Sequence, residues 1–121
     1  MQITEDTNNS RYQIRAYKSG EITINDKTYT TSLIITNETL ISDWGPETIN
    51  DITQQHIDQI LALKPEIILL GMGEHSSLPP KMLRQFECMS TGAACRTFVA
   101  LSSEGRNVAA ALLIEKGNTH V

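Results

Sequence analysis

Two short stretches hold the residues best suited to chemistry. The first is Leu70-Gly71-Met72-Gly73-Glu74-His75, where an apolar run gives way to two glycines, an acid and an imidazole. In open α/β sheets, ligands bind beyond the carboxyl ends of strands, and glycines there let the backbone approach them closely. The pattern is only Gly-x-Gly, with no third glycine, no Walker lysine and no helix directly after it, so it is a weak nucleotide signature. Glycines that merely turn the chain are the favoured reading. The second stretch is Thr91-Gly92-Ala93-Ala94-Cys95-Arg96. With Thr91 as N-cap, Cys95 falls near the first helical turn, where free amides and the helix dipole favour anions and thiolates. Arg96 adds positive charge, and Gly92 leaves room above the helix start. Together, Gly71, Gly73 and His75 on one side and Thr91, Gly92, Cys95 and Arg96 on the other form a candidate pocket. It can serve as an anion-binding corner, or as a reactive thiol with His75 nearby as base. The competing reading is small residues packed tightly on a sheet, with Cys95 an inert buried hydrophobe. No catalytic set is assigned.

Metal and cofactor chemistry find little support. His56, His75, His120, Cys88 and Cys95 show no C-x-x-C or H-E-x-x-H spacing. His56 stands off the apolar stripe of its helix and reads as solvated. Trp44, beside Gly45-Pro46, reads first as a core plug and second as a candidate interface residue.

These residues need a scaffold, and the composition supplies one. With 121 residues, 40% of them hydrophobic, the chain fits one domain with one core. The net charge is −4 and the basic residues are scattered, so neither nucleic acid nor an anionic membrane is an expected partner. Two cysteines do not make a disulfide framework, and a reduced cytoplasmic setting is the simplest expectation. The opening residues Met1-Gln2-Ile3-Thr4-Glu5-Asp6 read as neither a secretory signal nor a transit peptide. The apolar run Ile67-Ile68-Leu69-Leu70 is far too short to cross a bilayer, so no membrane insertion is expected.

Residues 1–10 are polar and read as a flexible start; 117–121 read as a polar tail. Between them, 11–116 form a single domain. Strands are expected at 12–17, 21–24, 27–30, 32–36 and 39–42, with turns at Ser19-Gly20 and Asn25-Asp26. A helix over 52–63 starts at Asp51, with Gln54 in the capping-box position. Residues 66–70 read as a central strand covered on both faces. A helical turn at 81–85 and a strand at 86–89 follow, then a helix from Thr91 to about Ser103 and a strand over 108–114. Gly105 suits the stop of that second helix. The fold class is α/β: three layers, a mixed central sheet flanked by helices, and an N-terminal antiparallel hairpin region.

Four blocks, in order, carry a family resemblance. They are Ser42-Asp43-Trp44-Gly45-Pro46, Lys64-Pro65-Glu66 through Gly71-Met72-Gly73, Thr91 through Phe98, and Ser103-Glu104-Gly105 through Leu112. Over residues 14–114 the chain resembles the domain-of-unknown-function family that includes mitochondrial NADH:ubiquinone oxidoreductase (complex I) assembly factor 3 and the adipogenesis-associated domain protein. The resemblance implies a three-layer α/β fold and small bacterial members mostly without an assigned activity. It further implies a non-enzymatic assembly role, with respiratory complex I subunits as partners. Two departures stand out. Only Lys81 to Phe86 separate Pro80 from Glu87, so a longer family helix is clipped here to a single turn, and Ser90 replaces the family's aspartate before Thr-Gly. Three functions follow as expectations: a protein-binding or assembly module, a small-molecule or anion-binding domain or modest enzyme using the candidate pocket, or a structural oligomer subunit.

Overall fold

The computed structural model describes residues 11–74 and 78–115. Alternating, β-rich sequence around two tight turns forms a three-stranded antiparallel meander: β1 (Ile14–Lys18), β2 (Glu21–Ile24) and β3 (Lys27–Tyr29). Asn25 takes a left-handed conformation at the second turn, and its side chain clips the chain before β1: Oδ1 accepts from the Gln13 N–H at 3.0 Å, and Nδ2 donates to the Arg11 carbonyl at 3.1 Å.

The second sheet has five strands: β4 (Leu33–Ile35), β5 (Leu40–Ile41), β6 (Ile67–Gly71), β7 (Glu87–Met89) and β8 (Val108–Leu112), in the order β5-β4-β8-β6-β7. β8 runs parallel to β6, and β6 parallel to β7, while β4 is antiparallel to both neighbours. Two helices cover it, α1 (Gln54–Leu61) and α2 (Thr91–Ser103).

Strand side chains alternate between faces, so one strand feeds two cores. Val108, Ala110, Leu112 and Leu69 meet Ile22 and Ile24 of the meander and Phe98 of α2. Ala109, Ala111, Leu113 and Leu70 meet Ile57 and Ile60 of α1, with Trp44, Leu83 and Phe86 from the loops. The result is three layers, with α2 and the meander sharing one side and α1 on the other. Every residue of β8 is buried, because both of its faces are covered.

Several boundaries differ from the sequence reading. The first helix begins at Gln54 after Thr53, so Asp51 is not its cap. Asp51 ends a separate 3-10 turn, Ile49–Asp51, and accepts from the Thr48 N–H and hydroxyl, each at 3.1 Å. Those bonds hold its carboxyl below the ordinary value. His56 takes the reciprocal role expected of Gln54: its Nδ1 accepts from the Thr53 N–H at 2.9 Å. It is therefore part of the helix start rather than merely solvated. The interface role expected for Trp44 is corrected too. The ring is 3% exposed, stands edge-on to His56 at 5.8 Å, and donates through Nε1 to the His56 carbonyl at 3.3 Å. The clipped segment after Pro80 is a single 3-10 turn, Lys81–Leu83, that buries Leu83.

Candidate functional site

The carboxyl end of β6 and the amino end of α2 meet. Gly73 accepts from the Thr91 N–H at 2.9 Å and donates its own N–H to the Thr91 hydroxyl at 2.8 Å. That hydroxyl donates in turn to the Leu113 carbonyl at 2.9 Å, so a side chain 1% exposed is fully satisfied. Thr91 is therefore the first helical residue, not the cap. Ser90 caps α2, its Oγ accepting from the Ala93 N–H at 3.2 Å. Serine and aspartate are about equal in this role, so the departure at position 90 leaves the helix start intact.

Both glycines have structural reasons. A Cβ at Gly71 would lie 2.8 Å from the Thr91 Cα and 3.1 Å from the Leu112 Cδ2, so its absence lets helix and strand touch. Gly73 sits at φ +86°, in the left-handed region that side chains avoid.

The helix start then builds one wall of a groove. Gly92, Cys95, Arg96 and Val99 follow the i, i+3, i+4, i+7 spacing of a single helix face, and all four line a cleft of about 390 Å³ between α2 and β1. The opposite wall is Ile14, Arg15, Ala16 and Tyr17. Gly92 fixes the separation, since a Cβ there would come within 3.1 Å of the Tyr17 ring. At the floor, Cys95 is 3% exposed, and burial pushes its thiol from an ordinary 9.0 up to about 12 despite the opposing pull of Arg96. Burial and a protonated thiol favour the reading of Cys95 as a packed hydrophobe over a reactive thiolate. Tyr17 divides this groove from a smaller cleft of about 180 Å³ that includes Gly73, Glu74 and Glu115. Its hydroxyl donates to the Glu74 carboxylate at 3.2 Å. Burial first, and that bond second, raise its pKa to about 12.

Of the sequence-expected residues, the structure brings Gly71, Gly73 and Thr91 into one packing knot, and Gly92, Cys95 and Arg96 into one groove. His75 lies outside the described residues. The contribution of β1 was missed, as was Val99. The helical spacing from Gly92 to Val99 could have found Val99, but nothing local signals a strand that lies over 70 residues earlier. Among the described residues, no three His, Cys, Asp or Glu side chains lie close enough to hold a metal ion. Both cysteines are free, and Cys88 donates to the Leu83 carbonyl at 3.3 Å.

Comparison with known proteins places the fold in context. Residues 14–113 match the protein family of unknown function DUF498/DUF598. The chain belongs to that family. This bears out the family read from the four sequence blocks. A 13 kDa major membrane protein of Francisella tularensis subsp. holarctica is 32% identical over 108 residues, covering 82% of this chain and 88% of the relative. A solution structure from Xanthomonas campestris is 30% identical with a TM-score of 0.77, covering 91% and 89% of the two chains. A Mth938-like domain from Bordetella pertussis shares the fold at 23% identity and a TM-score of 0.72, covering 99% and 100%. Among the described residues, no helix is long and apolar enough to cross a membrane.

Proposed function

We propose that this chain is a non-enzymatic binding module that helps assemble a larger protein complex, with respiratory complex I subunits as the partner class and the cytoplasm as its setting. One observation carries the reading. The junction best suited to chemistry is spent on packing: the Thr91 hydroxyl is doubly bonded and the Cys95 thiol is sealed and protonated. A thiol that is almost fully buried and stays protonated near neutral pH is a poor nucleophile. Apolar side chains meanwhile stand in solvent on either side of Pro79-Pro80, with Leu78 77% and Met82 41% exposed, as suits a contact surface.

The test is affinity capture of the tagged chain from its own cells, grown so that complex I is present. Complex I subunits should be enriched, and a Leu78→Asp, Met82→Asp double variant should lose them while melting like the parent. Absence of enrichment by the parent overturns the reading. Capturing separately from soluble and membrane fractions tests the cytoplasmic setting, since the Francisella relative is named a membrane protein.

A further inference from the structure

We propose that the groove between β1 and α2 binds a small organic anion: one carboxylate on a compact apolar body. The inference stands on the groove alone and does not depend on the assembly reading. A volume of about 390 Å³ falls within the roughly 300–1,000 Å³ of ligand sites. Apolar groups face water on both walls, Ile14, Ala16 and the Tyr17 ring from the strand and Val99, 41% exposed, from the helix. The Tyr17 ring is held against Gly92, so the cleft is formed before any ligand arrives and little ordering is needed on binding.

Charge fixes the ligand's other half. Arg15 and Arg96 are exposed and border the groove from opposite walls. Among the described residues, neither has a carboxylate partner, in a chain with 14 acidic and 10 basic side chains. A guanidinium at the rim of an apolar cleft presents a planar fork of donors that matches a carboxylate. The floor does not oppose an anion, because the Cys95 thiol stays neutral. The Glu74 carboxylate sits at the Tyr17 hydroxyl, toward the smaller cleft. It repels an anion there, which sets the polarity: carboxylate toward the arginines, apolar body along Ile14, Tyr17 and Val99. An inorganic anion would leave those walls wet, and a neutral apolar ligand would leave the arginines unused.

The whole chain is titrated by isothermal calorimetry with octanoate, octanol and inorganic phosphate. Octanoate should bind about tenfold or more tightly than either control. Arg15→Gln and Arg96→Gln should each weaken octanoate about tenfold and leave octanol unchanged. Val99→Asp should abolish octanoate binding by placing a like charge in the wall. All three side chains are exposed, and melting curves matching the parent certify the fold. Octanoate binding no tighter than octanol or phosphate overturns the proposal, as does indifference to both arginine changes. Neither result bears on capture by the Leu78 and Met82 surface.

Discussion

On the α2 side of the central sheet, contact is made by subtraction. Gly71 lacks the side chain that would strike Thr91, Gly92 gives way to the Tyr17 ring, and Ala94 and Ala110 add little bulk. On the α1 side, contact is made by filling. Trp44, Leu83 and Phe86 reach in from loops to complete what Ile57 and Ile60 of an eight-residue helix leave open. The same strands supply both faces, so the difference lies in the covering elements. A long helix can lie flat on a strand if the residues between them are small. A short one leaves space that loops must plug. The first arrangement is sensitive to added atoms and the second to lost ones.

The largest expected effect is therefore on the filled side. Trp44→Ala should lower stability by about 3–5 kcal/mol, read from urea denaturation, because a cavity opens and the His56 ring loses its neighbour. A loss below about 1 kcal/mol would mean that the loops collapse into the gap. On the close-packed side, Gly71→Ala should cost about 1–3 kcal/mol for a single added methyl group. A neutral result would break the contrast, since it would show that α2 can lift away freely. Ser90→Ala should cost about 1 kcal/mol by removing the cap of α2, whereas Ser90→Asp should stay within a few tenths. If both behave alike, the cap contributes nothing.

A further effect is confined to alkaline solution. The fold raises the Cys95 thiol to about 12, so the unfolded chain ionises first. Stability from this group is complete below the ordinary value of 9.0 and drains away as pH climbs toward 12. The urea midpoint should fall between about pH 8 and about pH 11, with a shallower fall in Cys95→Ala. Tyr17, raised for a similar cause, adds to the decline in both proteins. Identical slopes would mean that the thiol is open to water.

Local pattern made much of this visible. The turn at Asn25, the apolar run into Gly71 and the start of α2 within a residue of Thr91 all rest on neighbours in sequence. Asp51 and Thr53 compete for the start of α1, and the imidazole of His56, three residues on, decides between them. The other failures are tertiary. Ser90 and Thr91 can both cap a helix, and the choice is made by Gly73 and Leu113, which meet Thr91 only after the sheet has formed. The candidate pocket was half legible for the same reason: its helical wall repeats at a readable spacing, while β1 reaches it only through tertiary packing. Trp44 was legible as a plug, and its burial against His56 sets aside the interface alternative.

β8 has a bearing on how the molecule is made. Among the described residues it is the last strand of its sheet along the chain, yet it lies between β4 and β6, which pair with it and not with each other. During synthesis on the ribosome, the halves on either side of it cannot join until residues 108–112 have left the exit tunnel. Until then the apolar edges of β4 and β6 are bare, and that nascent interval is when a chaperone would have most to hold.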